Sequence, residues 1–166
     1  MTEFIKMNVT GLTIDPFTNM PIVILKDDSE NVALPIWIGL IEASSIATEI
    51  EKIELSRPMT HDLVKTLIEE LGAGVESVEI TDLKDNTFFA RVVLDHNGLK
   101  KIIDCRPSDA IAISLRTNAP ILVAKPVIEK SRSIESFEQS DDQMKSQKWT
   151  EILENLEADD FGKYKM

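Results

Sequence analysis

Residues 102–116 read IIDCRPSDAIAISLR, and this stretch decides the fold because it joins an apolar strand to a nearly all-apolar helix. Pro107 disfavours helix at the preceding residue, so Arg106 is predicted to be extended. Ser108 is then expected to cap a helix over residues 109–118. A helix that is apolar on all sides is a buried helix. The sequence therefore predicts a strand that ends in charged residues directly before a central, buried helix.

The first half of the chain repeats this pattern. Residues 31–50, shifted by 67 positions, fall on residues 98–117 without a gap, and Glu42 then lies over Asp109. Both halves show three strands followed by a helix. We predict an α+β fold of two duplicated β-β-β-α units, with one extra helix between them and one extra strand at the end. Short turns favour antiparallel neighbours, so we expect a mixed, largely antiparallel sheet with packed helices.

Hydrophobic periodicity and turn residues give the boundaries of these elements. Thr60 is expected to cap the second helix, which carries leucines at four-residue intervals. The predicted strands span 3–15, 22–28, 32–39, 75–83, 87–95, 99–105 and 119–128, and the predicted helices span 40–53, 61–74 and 109–118.

The composition changes near residue 129, so we divide the chain into three parts. Residues 1–128 are predicted to form the folded core, and residues 129–148 a polar linker without an apolar period. Residues 149–166 are predicted to contain an amphipathic C-terminal helix, which would cover apolar surface on the core or bind a partner subunit. Its apolar positions are Trp149, Ile152, Leu153 and Leu156.

The chain is acidic, with 29 acidic against 18 basic residues and a net charge of −11. Proteins that bind nucleic acid without sequence preference gain most of their affinity from basic patches. This chain must therefore concentrate its positive charge locally, use a divalent cation, or bind something else.

The sequence also predicts a cytoplasmic setting. Its one cysteine cannot form an intramolecular disulfide, which fits a reducing compartment. The N-terminus lacks the pattern of a signal peptide, and no apolar stretch is long enough to cross a membrane.

Charged residues are concentrated at the junction between the sixth strand and the third predicted helix. Asp104 and Arg106 are two residues apart on an extended segment, so their side chains face the same side. Asp109 begins the helix, and Glu42 is its counterpart in the first half. Carboxylates can hold a hard cation, and arginine can bind a phosphate through two hydrogen bonds. The alternative is a structural ion pair that ties strand to helix.

A second candidate group lies in RPMTHDL, residues 57–63. His61 falls at a helix start beside Asp62, where free backbone N–H groups can bind an anion. Histidine is suited to proton transfer near neutral pH. The alternative is a histidine at the surface or in packing.

Several segments together resemble the bifunctional nuclease family. They are LPIWIG (34–39), EASSIA (42–47), RPMTHDL (57–63), DCRPSDAIAISLR (104–116) and PILV (120–123), and the resemblance spans residues 3–128. The ending DDFGKYKM also resembles that of bacterial members. The resemblance implies a duplicated α+β core that cleaves both DNA and RNA.

The resulting hypothesis is a phosphodiester hydrolase assisted by Mg²⁺ or Mn²⁺. The alternative is a non-enzymatic regulatory module that binds a protein partner or a small anion. Exposed strand edges make a homodimer or another homo-oligomer plausible. The roles inferred from residue type are catalysis for His61, Asp62, Asp104 and Asp109, substrate binding for Arg57, Arg106, Thr60 and Ser108, and metal binding for Asp104, Asp109 and Glu42.

Overall fold

The structure, a computed structural model, describes the backbone of residues 1–138 and the side chains of residues 1–132. The predicted C-terminal helix at 149–166 lies outside the described residues. Within them, no helix is long and apolar enough to cross a membrane. The elements are β1 (Phe4–Ile14), β2 (Pro21–Asp27), β3 (Ala33–Trp37), α1 (Leu40–Ile50), α2 (Thr60–Glu70), β4 (Ala73–Lys84), β5 (Thr87–His96), β6 (Leu99–Cys105), α3 (Pro107–Thr117), β7 (Ile121–Ala124) and α4 (Lys125–Glu138).

The seven strands form one sheet in the order β3-β2-β1-β7-β4-β5-β6. Each half of the chain contributes an antiparallel three-stranded meander, β1–β2–β3 and β4–β5–β6. Strand β7 joins the two meanders, pairing antiparallel with β1 and parallel with β4. The predicted α+β class with a mixed, largely antiparallel sheet is confirmed. The predicted order of three strands and a helix in each half is also observed, whereas its origin by duplication stays a prediction.

The hairpins of the second meander follow from their turn residues. Asn97 and Gly98 both have positive φ, 54° and 78°, between β5 and β6. Asp85 and Asn86 likewise have positive φ, 48° and 58°, between β4 and β5. Two consecutive residues of this kind form the turn whose twist matches that of antiparallel strands.

Helix α3 is the centre of the helical layer, packing against α1, α2, β4 and β5. Its residues Ala110, Ile111 and Ala112 are fully buried, as its all-apolar sequence predicts. The helix ends at Asn118, which adopts the left-handed conformation that commonly stops helices.

The two predicted N-caps are wrong by one or two residues. Helix α3 begins at Pro107, with Arg106 extended as its cap and Ser108 already inside the first turn. Proline has its φ preset for the first helical position and needs no donor there. Helix α2 begins at Thr60 itself, with Met59 as its cap.

The last predicted strand is also too long. Strand β7 ends at Ala124, and α4 continues from Lys125 to Glu138 through the first ten residues of the predicted linker. Pro126 is compatible with a helix because it lies in the first turn. Val127, Ile128 and Ser131 are buried, and their spacing is helical.

Candidate active site at three helix starts

Polar side chains from the early turns of α1, α2 and α3 meet in one cluster. Glu42 is in the first turn of α1, His61 is the second residue of α2, and Asp109 is in the first turn of α3. Helix α3 contacts both other helices. Positive dipole ends and free N–H groups of three helices therefore lie close together, and the carboxylates offset them.

Arg106 joins two of these helices. Its Nη1 donates to Oε1 of Glu42 at 2.6 Å, its Nε donates to Oδ2 of Asp109 at 2.9 Å, and its Nη2 donates to Oδ1 of Asp109 at 3.2 Å. The side chain of Arg106 is still 66% exposed. The predicted Asp–Arg pairing is thus present, and Glu42 belongs to it.

His61 lies behind this ion pair, with both ring nitrogens engaged. Nε2 lies 2.8 Å from Oδ1 of Asp109, and Nδ1 lies 2.7 Å from Oγ of Ser45. An ionised carboxylate only accepts hydrogen bonds, so Nε2 carries a proton. Nδ1 accepts from the Ser45 hydroxyl when the ring is neutral and donates to it when the ring is charged. The ring can therefore gain a proton without losing either contact.

The geometry resembles a serine–histidine–aspartate arrangement, but Ser45 does not fit a nucleophile. Ser45 is only 1% exposed, so a polymeric substrate cannot reach its hydroxyl. Its contact with His61 fixes the ring between α1 and α3.

Asp109 is held in its ionised form by its neighbours. Burial by itself would raise its pKa, but the hydrogen bonds from Arg106 and His61 outweigh burial and hold the pKa of this carboxyl below its ordinary value of 3.8. A carboxylate with a lowered pKa is a weak base. Asp109 is therefore suited to orienting donors, including water, rather than to taking up protons at neutral pH.

Asp62 faces a second arginine, Arg116. Arg116 Nε donates to Oδ1 of Asp62 at 2.6 Å, and its Nη1 and Nη2 donate to the carbonyls of Ala112 and Ser45 at 3.0 and 3.1 Å. Burial would raise the pKa of Asp62, but the hydrogen bond from Arg116 Nε and one from the Met59 N–H hold this pKa below the ordinary value. The predicted catalytic residue Asp62 thus serves to cap α2 and to pair a buried charge.

The Glu42 carboxylate folds back over the residue that precedes α1. A Cβ added to Gly39 would collide with Oε2 of Glu42. Gly39 has ordinary extended backbone, so its missing side chain matters here for space and not for backbone freedom. The glycine leaves room for the position from which Glu42 reaches Arg106.

A cavity of about 300 Å³ lies near the other end of α3, where Arg116 and Asp62 are among the residues that line it. Glu49 and Arg57 also line this cavity, whereas Glu42, His61, Arg106 and Asp109 do not. Arg57 is exposed, and among residues 1–132 no side chain forms an ion pair with it. Thr60 and Arg57 together line a second, smaller cavity. The predicted substrate-binding residues Arg57 and Thr60 are therefore accessible.

The remaining predicted site residues lie outside the cluster. Asp104 is exposed on β6 and makes no hydrogen bond or ion pair with any side chain described. Ser108 is buried, at 6% exposure, and cannot easily touch a substrate. Cys105 is half-buried, and burial together with the charges of Asp109 and Asp104 raises the pKa of its thiol to about 11. The thiol therefore stays protonated and unreactive.

In this arrangement, the predicted metal ligands are not grouped as a metal site requires. Within residues 1–132, no three histidine, cysteine, aspartate or glutamate side chains are grouped to hold a metal ion. Glu42 and Asp109 do converge, but the Arg106 guanidinium lies between them. The positive charge that a cation would bring to these carboxylates is supplied by arginine.

Sequence reasoning missed two members of the network, Ser45 and Arg116. Nothing in EASSIA distinguishes Ser45 from a small packing residue. Arg116 did carry a signal, because an arginine on an otherwise apolar helix must be paired if it is buried.

Comparison with known proteins places these residues in a family. Residues 23–136 match the family described as bifunctional nuclease domain, and this range contains the whole cluster. An uncharacterized protein of Mycobacterium tuberculosis is 36% identical over 162 residues, covering 94% of this chain and 97% of that protein.

Plant relatives carry the nuclease name. Bifunctional nuclease 1 of Arabidopsis thaliana is 28% identical over 122 residues, covering 71% of this chain and 38% of that protein. Bifunctional nuclease 1 of Oryza sativa subsp. indica is 28% identical over 109 residues, covering 64% of this chain and 33% of that protein. The resemblance read from the sequence is confirmed, and the chain belongs to the bifunctional nuclease domain family.

Proposed function

We propose that this protein is a nuclease that hydrolyses phosphodiester bonds of DNA and RNA at the cluster of helix starts. The observation that carries the proposal is the convergence of Glu42, His61, Arg106 and Asp109 at an exposed position inside the region that matches the family. A phosphodiester needs cationic donors for its oxygens and acceptors that orient an attacking water, and this cluster contains both.

Arg106 would bind the phosphate. A guanidinium has five N–H donors, of which three serve Glu42 and Asp109, so two remain for phosphate oxygens. Because the two carboxylates already fix the side chain, little conformational freedom is lost when phosphate binds. Arg57, which is exposed and lines the cavity, would hold another phosphate of the same strand.

The carboxylates would orient the water. Oδ2 of Asp109 accepts one hydrogen bond from Arg106, so an acceptor position remains on that oxygen. The water oxygen forms the new bond to phosphorus and releases a proton to solvent, the bond to the leaving sugar oxygen breaks, and that oxygen takes up a proton from solvent. His61 acts as a positioning residue, since both of its nitrogens are engaged within the protein.

Assistance by Mg²⁺ or Mn²⁺ stays a prediction, and no step above depends on a metal ion. Asp62 and Asp104 likewise stay predictions as catalytic residues. Asp62 is bound to Arg116, and Asp104 lies on β6 outside the cluster.

The test is a cleavage assay on labelled single-stranded RNA and duplex DNA at low salt, run with Mg²⁺, with Mn²⁺ and with EDTA. We compare Arg106→Gln with Arg132→Gln, an exposed arginine on α4. Removal of one preorganised donor typically slows a reaction about a hundredfold or more. We expect that loss for Arg106→Gln only. Equal activity in the two variants would rule out Arg106 as the phosphate-binding group.

A regulatory or interaction module is the second candidate function. It is favoured by the internal pairing of His61, Asp109 and Arg106, because the cluster would also be satisfied as a tie between three helices. This alternative predicts no cleavage under any of the three conditions, with the purified protein folded.

A further inference from the structure

Strand β6 is an edge strand of the sheet. It lies at the end of the sheet and pairs antiparallel with β5 along one edge. Among the strands of residues 1–138, none pairs with its other edge. A row of free backbone N–H and C=O groups of this kind readily pairs with another strand.

The side chains of β6 are also uncovered on both faces. Leu99, Ile102 and Ile103 are 63%, 62% and 49% exposed. The opposite edge strand, β3, is protected. Its Leu34 and Ile36 are buried, and Pro35 removes one backbone donor from the strand. The two ends of the sheet therefore differ, and only β6 presents a long edge with exposed apolar residues.

Charges form two rows that reach this edge. In the first row, Glu79, Arg91 and Asp104 lie side by side on β4, β5 and β6. Arg91 Nε contacts Oε2 of Glu79 at 2.6 Å. Asp104 ends the row as a carboxylate that no described side chain pairs with, so this row ends in a negative charge.

The second row ends in a positive charge. Lys100 on β6 lies opposite Asp95 of β5, and its Nζ contacts Oε1 of Glu76 on β4 at 2.6 Å. Lys100 thus lies at the edge of the sheet, and the other residues of its row, Asp95 on β5 and Glu76 on β4, are acidic. It lies on the same face of the sheet as Asp104, because the two residues are four positions apart on a regular strand.

We propose that β6 pairs antiparallel with β6 of a second copy of this chain, about a two-fold axis at Ile102. In this register Lys100 of each copy lies opposite Asp104 of the other, and Ile102 lies opposite itself. The first charge row then continues with a positive charge and the second with a negative one. Opposite charges and apolar pairs directly across two strands both stabilise a sheet. The dimer contains one continuous sheet of fourteen strands, twice the seven of one copy.

The two neighbouring registers place fewer favourable residue pairs opposite each other. Residues that lie opposite each other in a sheet have their side chains on the same face, so the two-fold axis must pass through a residue and not between two residues. The alternative registers therefore move the axis by whole residues. An axis at Lys101 places that lysine opposite itself. An axis at Ile103 places Ile102 opposite Asp104 and loses both ion pairs. Self-complementarity of the charge pattern therefore selects the axis at Ile102.

The same pairing brings positive charge to the proposed nuclease site. Cys105 lies opposite Leu99 of the second copy. Lys100 and Lys101 of that copy therefore lie opposite Asp104 and Ile103. Arg106 follows Cys105 directly. Each dimer would thus place two lysines near each Arg106. The pairing itself depends on the edge strand alone and not on nuclease activity.

The first test is the mass of the full-length protein in solution by light scattering. The dimer has twice the 18.6 kDa of one chain. Ile102→Lys places two lysines face to face and is expected to give the monomer, whereas Ile53→Lys, at another exposed isoleucine, should leave the dimer intact. A monomeric wild-type protein, or a dimer that Ile102→Lys leaves intact, would overturn the proposal.

The second test measures the register by cross-linking in a Cys105→Ser background, which removes the one native thiol. Single cysteines at 101, 102 and 103 are each oxidised with copper phenanthroline. Only the residue on the axis faces itself, so Ile102→Cys is expected to form the disulfide dimer. Preferential cross-linking through Lys101→Cys or Ile103→Cys would contradict the axis at Ile102.

Charge exchange gives an independent check of the ion pairs. Lys100→Asp alone places two carboxylates opposite each other at both ends of the interface and should weaken the dimer about tenfold. Adding Asp104→Lys restores opposite charges and should recover most of the affinity. A double variant as weak as Lys100→Asp would exclude the pairing of these two residues.

Discussion

Arg106 and Arg116 lie at opposite ends of α3 and differ in what surrounds them. Arg116 is 3% exposed, and all three of its contacts are to groups of the protein. Arg106 is 66% exposed and keeps donors that face solvent. Burial thus separates a structural arginine from one that can bind a ligand.

This difference predicts unequal effects on stability. Arg116→Met removes the charged partner of Asp62 and one donor from each of two buried helix carbonyls, which should lower the free energy of unfolding by about 3 kcal/mol. Arg106→Met breaks exposed ion pairs and should cost about 1 kcal/mol or less. Urea unfolding of both variants measures this, and similar costs would contradict the assignment of Arg116 as the structural member.

Asp62 gives a pH dependence with a definite sign. Its folded-state pKa lies below the ordinary 3.8 because bonds from Arg116 and the Met59 N–H outweigh burial. Its contribution to stability is therefore complete above pH 3.8 and is lost as the pH falls through the lower folded value. We expect Asp62→Asn to be less stable than wild type near neutral pH, and to lose less stability on acidification.

Unfolding curves recorded from neutral pH down to pH 3 test this expectation. Asp28→Asn serves as the control, because Asp28 is an exposed acceptor for Asn8 and does not contact Arg116. If Asp62→Asn and Asp28→Asn depend on pH identically, the Asp62–Arg116 pair does not contribute to acid sensitivity.

Helix α2 has two apolar stripes, and only one of them packs against the core. The stripe of Leu63, Leu67 and Leu71 is the most regular apolar pattern of this helix, yet all three are exposed. Val64 and Ile68 are the residues that pack against the core. Apolar spacing predicts a helix, but it does not show which of two apolar stripes a neighbour will cover.

Adjacent positions on α2 therefore predict different costs for the same change. Ile68→Ala removes packed methyl groups and should lower the free energy of unfolding by about 2 kcal/mol. Leu67→Ala, on the exposed face, should change it by less than about 0.5 kcal/mol. Thermal and urea unfolding compare the two. An equal cost for Leu67→Ala would show that the outer face of α2 is covered in solution.

Helix α4 was missed because its signals conflict. Val127 and Ile128 continue the apolar run of β7 in sequence, and Pro126 suggests a break. The proline lies in the first turn, where helices accept it. The strands of the second meander, in contrast, are predicted in the right order because their turns contain Asp, Asn and Gly, which are suited to positive φ.

For the whole molecule, the site could be predicted only in parts. The contact between Arg106 and Asp109 could be predicted because the two residues are only three positions apart. Glu42 could be predicted because it matches Asp109 when the two halves are aligned. That His61 meets Asp109 depends on α2 packing against α3, 48 residues away along the chain. Local patterns carry no information about such a contact, so a cluster around His61 could not be derived from them.

The acidic charge of the chain predicts weak and local binding of nucleic acid. With contacts from Arg57 and Arg106 only, the logarithm of the association constant should fall against the logarithm of salt concentration with a slope of about −1.4 for single strands. Where Lys100 and Lys101 of a second copy also contact the strand, the slope should be about −2.8. Fluorescence anisotropy with a nuclease-resistant phosphorothioate oligonucleotide measures the slope. A slope of about −5 or steeper would contradict this prediction and would indicate an extended basic surface.

Every role proposed for cleavage depends on the helix-start cluster being the hydrolytic site. The decisive experiment compares the initial rate of RNA cleavage by wild type, Asp109→Asn and the matched control Asp28→Asn, after all three are shown to be folded. Asp109→Asn removes the negative charge and one of the two oxygens that hold Arg106 and His61, so we predict a rate about a hundredfold lower for this variant and an unchanged rate for Asp28→Asn. Cleavage by folded Asp109→Asn at the wild-type rate would place the activity elsewhere and contradict the account.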